Sequence, residues 1–370
     1  MMKKLSLVIL ALALVAVTAG EAQNRLEGDE PQASAAWFGE KLTVMTRNVY
    51  VGANVDLLMG GDMGALDQVL NELFITSFPD RARGLAEEIT SARPHLIGLQ
   101  EISIIRGNLP EMGAFEMNYL DILMMTLDAY GLKYKVAGQI ENFDVSIPIV
   151  PGTPYYAQLV DYDVVLARED VEISDPDTVA QRYQAYLPLD SLGVNIYRGY
   201  VAVTATVGKK SYRFVSTHLE DVPPDHPEIE YLQLAQAQEL LGLLQAEALP
   251  TIVVGDLNSV APSGWSYQAF VNSGFVDAWK RNLLLWFNHP GYTYGHASNL
   301  RNETVDFTKR IDYVLVRSNV GFGSWQVLGP VFAWVVGDEL EDRVWVDAFQ
   351  EYIWPSDHGG VVARLRIPKY

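Results

Sequence analysis

Eight side chains that can bind a cation or move a proton lie at or beside the ends of short apolar segments in this 370-residue chain. A single acid or amide at such a position is usually a turn former or a helix cap. Eight of them indicate one shared site, because enzymes built on β-sheets collect their chemistry at strand ends. The eight are Asn48, Glu101, His218, Asp256, Asn258, Asp312, Asp357 and His358.

The residue types in this set favour one kind of chemistry. Four carboxylates, two amides and two imidazoles, in a chain without cysteine, suit a hard divalent cation. Mg²⁺ is expected, with Mn²⁺ or Ca²⁺ as alternatives. The sequence contains no paired-histidine zinc helix, Gly-Lys-Ser phosphate loop or Gly-x-Ser-x-Gly nucleophile turn. A metal-activated water that attacks a phosphorus centre therefore fits best.

Asp357 and His358 stand side by side just before the segment 361–367, which reads as a buried strand. Burying either group without a partner costs several kcal/mol. Other members of the set must therefore lie beside this pair in the folded protein.

The elements that must position these residues alternate from Leu42 onward between short β-branched or apolar segments and helical patterns, as in a layered α/β or α+β protein. Gln233, Gln236 and Gln238 are predicted to lie on the solvent-exposed face of the last helix. Two proline-rich segments, 141–160 and 221–230, are predicted to be long loops. The predicted strands are 42–51, 95–102, 162–169, 200–207, 211–220, 250–258, 310–317 and 361–367, and the predicted helices are 63–74, 78–92, 116–131 and 230–247.

The first 22 residues have the layout of a signal peptide, with a lysine pair, an apolar run and small residues near its end. The apolar run is shorter than the roughly 20 residues that span a bilayer. We therefore expect a secreted or periplasmic protein, with a flexible leader at 23–40 and a single catalytic domain at 41–370.

The balance of charge limits the partners. The chain has 27 basic and 46 acidic residues, a net charge of −19. Such a chain repels nucleic acid and anionic membranes on average. Composition therefore gives no strong support for bulk nucleic-acid binding.

Six segments, in order along the chain, resemble the endonuclease/exonuclease/phosphatase superfamily, which has the deoxyribonuclease-I-like fold. They are TRNVY, LIGLQEI, VSTHLE, VVGDLNS, RIDYVLV and PSDHGGVVARL, and the resemblance extends from about residue 42 to residue 368. TRNVYVGANVDLL and DYDVVLAR are further similar to a secreted bacterial branch. The resemblance implies a four-layer α/β/β/α sandwich, in which two packed mixed β-sheets are flanked by helices.

The resemblance also implies roles for the site residues. Glu101 would be the principal metal ligand, with Asn48 and Asp357 nearby. His358 would activate the water and Asp312 would orient it. The remaining roles concern the phosphate: Asp256 and Asn258 would position it with the nucleophile, His218 would donate a hydrogen bond to it, and Arg47, Arg168 and Arg198 are candidate phosphate ligands.

The substrate stays open among nucleic acid, phospholipid or sphingomyelin, and small phosphoesters. A lipid substrate would use exposed apolar residues at a membrane surface, and 281–295 and 325–336 offer such residues. Two other functions compete with catalysis: a non-catalytic, metal-binding secreted interaction domain on the same fold, and a structural domain stabilised by Ca²⁺. The oligomeric state stays open too.

Overall fold

Two large β-sheets packed face to face form the centre of the molecule. The computed structural model describes residues 41–59, 63–190, 193–281, 290–318 and 329–366. In chain order the strands are β1 (Lys41–Asn48), β2 (Leu96–Leu109), β3 (Gly113–Asn118), β4 (Tyr134–Pro148), β5 (Tyr156–Arg168), β6 (Glu172–Arg182), β7 (Leu187–Leu189), β8 (Val194–Ile196), β9 (Gly199–Val207), β10 (Lys210–His218), β11 (Thr251–Asp256), β12 (Val276–Asp277), β13 (Asp312–Arg317), β14 (Gly329–Val336), β15 (Val344–Val346), β16 (Glu351–Ile353) and β17 (Gly360–Arg366).

The first sheet has the strand order β14-β17-β1-β2-β5-β4, with β3 added beside β2, and the second has the order β12-β13-β11-β10-β9-β6. Each sheet is mixed. One parallel pair, β1–β2 in the first sheet and β10–β11 in the second, has an antiparallel neighbour on either side. Two small hairpins, β7–β8 and β15–β16, complete the strands that the structure describes.

Helices cover the outer faces of both sheets. They are α1 (Asp56–Met59), α2 (Leu66–Ile75), α3 (Phe78–Ala92), α4 (Tyr119–Ala129), α5 (Ile229–Leu244) and α6 (Trp265–Asn272), with short 3-10 turns at Met63–Ala65, Trp279–Arg281 and Leu340–Asp342. Leu85 and Ile89 of α3 pack against the first sheet, whereas Leu240 of α5 packs against the second.

Three apolar cores separate the four layers. Strand alternation explains them, because successive residues point to opposite faces: Val44 of β1 lies in the core between the sheets, and Met45 lies in the core beneath the helices. Phe214 and Val314 complete the inter-sheet core from the second sheet. The predicted four-layer α/β/β/α sandwich is confirmed.

Helix α3 shows how the sequence determines an element and its limits. Its buried residues Phe78, Leu85 and Ile89 recur at helical spacing on one face. Pro79 lies in the first turn, where its missing N–H costs nothing. The helix ends at Arg93, which has a left-handed φ of 44° and precedes Pro94.

One predicted loop was wrong. Residues 141–160 form most of a long hairpin between β4 and β5, paired from Tyr134↔Arg168 to Pro148↔Tyr156. Prolines are tolerated there because β4 is the edge strand of the first sheet. The other predicted loop, 221–230, is confirmed over 221–228, but its last two residues form the start of α5, which begins at Ile229.

The solvent-exposed face predicted for the helix at 230–247 was wrong for two of the three glutamines. Gln238 is exposed on α5, but Gln233 is 1% exposed and Gln236 is fully buried. Both buried glutamines bond to the segments that carry site residues, as described below.

Several predictions lie outside the described residues: the signal peptide at 1–22, the leader at 23–40, residues 282–289 of the apolar segment 281–295 and residues 325–328 of the apolar segment 325–336. In the described part of the second segment, Ala333, Val335 and Val336 are buried rather than exposed. Among the described residues, no helix combines the length and the apolar character that crossing a membrane requires.

Candidate active site

Three neighbouring strands of the second sheet bring paired residues to the same edge of that sheet: β10 and β11 end there, and β13 begins there. His218 of β10 pairs with Asp256 of β11, and Asp256 pairs with Asp312 of β13. All three side chains are at least 98% buried. His218 Nε2 lies 3.7 Å from Asp256 Oδ2. This row forms one wall of a polar space at the strand ends, which we call the cleft.

His358 completes the wall of the cleft from the segment before β17. Its Nδ1 lies 2.9 Å from Asp312 Oδ2, and its backbone N–H donates to Ser356 Oγ at 3.1 Å. Its Nε2 lies 3.7 Å from Asp256 and 3.9 Å from Asp357. Burial opposes the charged ring, but Asp312, Asp357 and Asp256 outweigh it and raise the pKa of His358 to about 10. One ring nitrogen is therefore held by Asp312, while the other faces the carboxylates of the cleft.

Glu101 reaches the cleft through a β-bulge in the first sheet. The pairing of β2 with β5 shifts between Leu99 and Ile102, and Glu101 has a φ of 60°. This extra residue turns the carboxylate toward the cleft. Glu101 Oε2 accepts from the Val51 N–H at 2.8 Å. Burial opposes its ionisation, but His218 and His358 outweigh that effect and lower its pKa.

Asn48 joins the two sheets at the cleft. Its Nδ2 donates to Glu101 Oε1 at 2.8 Å and to Asp256 Oδ2 at 3.3 Å, while its Oδ1 accepts from the Tyr50 N–H at 2.9 Å. Asn258 is attached on the other side, because its N–H donates to Asp256 Oδ1 at 2.8 Å. Separations of 3.9 Å or less thus connect all eight predicted site residues into one group.

The cleft has the donors that a hard divalent cation needs. Ligand atoms of Asp256, Asp312 and His358 all lie within 4.8 Å of one another. Asp312 Oδ1 is buried and has no hydrogen-bond partner among the described residues. Burial and Asp312 raise the pKa of Asp256 well above its usual value, so the acids disfavour one another without a cation. These oxygen-rich donors fit Mg²⁺ or Mn²⁺, although the tightest group is not the predicted set of Glu101, Asn48 and Asp357.

Arg81 of α3 supports the floor of the cleft from below. Its guanidinium donates to four backbone carbonyls: Thr76 at 3.0 Å, Val49 at 2.5 Å, Tyr50 at 3.0 Å and Pro355 at 3.1 Å. The side chain is fully buried. It therefore fixes the turn after Asn48 against the turn before Asp357.

Arg47 does not lie in the cleft, and its prediction as a phosphate ligand was wrong. Its Nε and Nη2 donate to Glu88 of α3 at 2.9 and 2.7 Å, and its Nη1 donates to the carbonyl of His358. Neighbouring residues of a strand point to opposite faces, so Arg47 faces the helical layer when Asn48 faces the cleft. It supports the backbone of His358 instead.

Arg168 is also wrong as a phosphate ligand, whereas Arg198 lies at the cleft. Arg168 pairs with Asp170 at 2.6 Å at the far end of β5, about five residues or roughly 17 Å along the sheet from Glu101. Arg198 Nη1 lies 3.0 Å from His218 Nδ1, and its Nη2 lies 3.2 Å from Glu220. Burial, followed by Arg198, lowers the pKa of His218 well below its usual value, so this ring is neutral.

Two buried acids in the cleft escaped the sequence analysis. Asp161 and Asp163 of β5 are 3% and 0% exposed, and Asp163 Oδ1 lies 3.7 Å from His218 Nδ1. Asn142 Nδ2 donates to Asp161 at 2.9 Å. Burial raises the pKa of both acids. A signal was available, because two acids spaced by one residue open the apolar segment DYDVVLA and must share a face.

The buried glutamines of α5 hold the backbone behind the cleft. Gln233 Nε2 donates to the carbonyls of Glu220 and Asn258 at 2.8 and 3.0 Å. Gln236 Oε1 accepts from the Glu220 N–H at 2.9 Å. These bonds fix the segments that follow His218 and Asp256.

Comparisons with known proteins agree with this geometry. A family model described as "Endonuclease/Exonuclease/phosphatase family" matches residues 48–358. A search of curated proteins finds no match.

Solved structures show the same fold. A protein of that family from Bacteroides thetaiotaomicron is 16% identical, with 90% of this chain and 99% of that chain covered at a TM-score of 0.54. One from Leptotrichia buccalis is 15% identical, with 89% and 100% covered at 0.52. A mannosyl-6-phosphatase from Bacteroides thetaiotaomicron is 17% identical, with 88% and 99% covered at 0.51.

Proposed function

The chain belongs to the endonuclease/exonuclease/phosphatase family, and from that premise we propose that it is a divalent-metal-dependent phosphodiesterase in which His358 activates the attacking water. The observation that carries the proposal is the orientation of His358. Asp312 holds its Nδ1 at 2.9 Å, which leaves Nε2 free to face Asp256, Asp357 and the cleft.

The acids of the cleft would hold the cation, with Glu101 and Asp256 joined by Asn48 and with Asp357 beside His358. When bound, Mg²⁺ or Mn²⁺ would neutralise phosphate oxygens and lower the pKa of water. The His358 ring would then be neutral, because a cation held by these acids would offset the negative charge that raises its pKa, and its Nε2, oriented through Asp312, would take the proton from the attacking water.

The His218 end of the same wall of the cleft would bind the phosphate. His218 is neutral and can donate one hydrogen bond to a phosphate oxygen, and Arg198 beside it adds a fixed positive charge. Asn258 Nδ2 lies 3.3 Å from the same ring and is a further donor.

Location is a separate part of the proposal: the segment 1–22 supports secretion or a periplasmic protein.

The test is hydrolysis of bis-p-nitrophenyl phosphate, plasmid DNA, sphingomyelin and mannose 6-phosphate by the purified protein, with Mg²⁺ or with EDTA. We expect EDTA to abolish activity and Mg²⁺ to restore it. At a limiting Mg²⁺ concentration, Glu101→Ala should greatly lower activity without unfolding the protein, whereas the exposed acid change Glu116→Ala on β3 should not. Activity that ignores EDTA, or that Glu101→Ala leaves undiminished at limiting Mg²⁺, would contradict the mechanism.

A further inference from the structure

An apolar groove opens directly beside the cleft. Its floor is formed by β2, β4 and β5, and its walls by α1, α2 and the β7–β8 hairpin. The space between these elements is about 670 Å³, with the part open to solvent included. None of the roles proposed above uses it.

The floor of the groove continues the floor of the cleft. Alternate residues of β5 share one face, so Asp163, Asp161, Leu159 and Ala157 form a single row. Asp163 lies 3.7 Å from His218, whereas Leu159 and Ala157 line the groove. Because two residues of a strand span about 7 Å, the groove begins roughly that far beyond the last acid.

The neighbouring strand β2 repeats this change from polar to apolar, whereas β4 is apolar at both positions. Leu159 pairs with Ile105 of β2 and with Val145 of β4, and all three line the groove. One step nearer the cleft, Asp161 pairs with Ser103 and Phe143.

One wall also leads from the catalytic residues into the groove. The Val51 N–H donates to Glu101 at 2.8 Å, and the chain then continues to Val55 and Leu58, which line the groove. The Asn54 N–H donates to Glu72 of α2 at 3.0 Å, so this wall is attached to the helix that covers the groove. The segment 51–58 therefore contacts the catalytic residues at one end and lines the groove at the other.

The lining selects the kind of group that fits. Gln158 is the one polar residue among the described residues that line the groove, and Phe143 is the one aromatic residue. A nucleobase site needs stacking rings and hydrogen-bonding edges, and a sugar site needs partners for its hydroxyls. Branched aliphatic walls satisfy neither, but they match a hydrocarbon chain.

On the basis of the proposed phosphodiesterase activity, we propose that the groove binds the alkyl or acyl chain of an amphiphilic phosphodiester, whose phosphate lies in the cleft. The net charge of −19 is consistent with a substrate that carries one phosphate rather than a polyanion. The groove then determines which phosphodiesters are bound, while the cleft performs the reaction.

The test uses p-nitrophenyl alkyl phosphodiesters from methyl to dodecyl, each below its aggregation concentration, with p-nitrophenyl thymidine phosphate as the nucleotide comparison. We expect kcat/KM to rise with each added methylene, by at most about fourfold, until the groove is filled. Val145→Asp should flatten this dependence and leave the methyl ester unaffected. Val136→Asp, at an exposed position on the same strand, should keep the wild-type dependence.

The outcomes separate the two proposals. Hydrolysis of the methyl ester without any dependence on chain length would overturn the groove and leave the phosphodiesterase standing. If no ester is hydrolysed, the phosphodiesterase proposal fails, and calorimetry with dodecyl phosphate still tests the groove. Equal affinity of the wild type and Val145→Asp for that probe, or a nucleotide ester preferred to the dodecyl ester, would also overturn the groove.

Discussion

The two sheets bring their side chains to the cleft in different ways. In the second sheet, His218, Asp256 and Asp312 end three neighbouring strands in unbroken register. In the first sheet, Glu101 arrives through a bulge and a left-handed residue. The regular row builds the proton-transfer side, where a ring must be oriented. The bulge places a carboxylate where regular pairing would have turned it away.

The largest expected effect comes from removing the His358 ring, which Asp312 of the regular row orients. His358→Ala should lower kcat by about 10²- to 10⁴-fold, because the water loses its general base. It should leave the Mg²⁺ concentration for half-maximal activity nearly unchanged, whereas Glu101→Ala should raise that concentration. Steady-state kinetics at varied Mg²⁺ measures both. Equal Mg²⁺ responses would show that the ring oriented by the regular row and the carboxylate placed by the bulge do not have separate roles, and His226→Ala in the exposed loop is the control.

Asp312→Asn should have the next largest effect, a loss of roughly 10²-fold in kcat with little change in KM. The amide keeps the shape of Asp312 but cannot stabilise the charged ring. The pKa of His358, followed by NMR in the metal-free protein, should fall from its raised value. An unchanged pKa would show that Asp357 and Asp256 alone hold the proton.

Substitution of Gln233, which holds the backbone behind the row of His218, Asp256 and Asp312, should have a smaller effect. Gln233→Leu should destabilise the protein by about 1–3 kcal/mol, because the carbonyls of Glu220 and Asn258 stay buried without their donor. Gln238→Leu, exposed on the same helix, should change stability by less than about 0.5 kcal/mol. Urea unfolding measures both, and equal effects would contradict this account.

The smallest expected effect is a shift of a few degrees in Tm with pH. His358 has a pKa raised from 6.5 to about 10, so its contribution to stability is full below pH 6.5 and is lost as the pH rises toward 10. The raised pKa values of Asp161 and Asp163 act in the same direction at lower pH.

With EDTA present, Tm should therefore fall from about pH 6 to about pH 9, and Mg²⁺ should raise Tm more at the higher pH. Calorimetry across this range is the measurement, and Asp161→Asn with Asp163→Asn should reduce the slope. A Tm that rises with pH would refute the assignment.

Regular structure was the part that the sequence predicts well. The eight predicted strands are all present, because β-branched runs and period-two alternation report directly on burial. The polar residues at their ends were predicted to meet, and they do. The hairpin at 141–160 escaped prediction because its edge strand alternates exposed and half-buried residues and ends at Pro148, and because two more prolines lie in its turn, which is also the pattern of a loop.

Other misses share a physical cause: they depend on which neighbour a side chain meets. Arg47 was expected to bind phosphate because it precedes Asn48. Its side chain instead lies on the other face of β1, where it pairs with Glu88. Gln233 and Gln236 lie inside because two long segments need hydrogen-bond partners there. Both contacts join residues that are far apart in the sequence, so local sequence patterns cannot predict them.

Arg81 has a consequence for how the protein can change. A single guanidinium bonds the turns on either side of the catalytic floor, so neither turn can drift without breaking bonds to the other. The β4–β5 hairpin and the 219–228 loop are not among the described hydrogen-bond partners of Arg81. Insertions or substitutions in these two segments are therefore expected to change substrate preference while the catalytic turns stay in place.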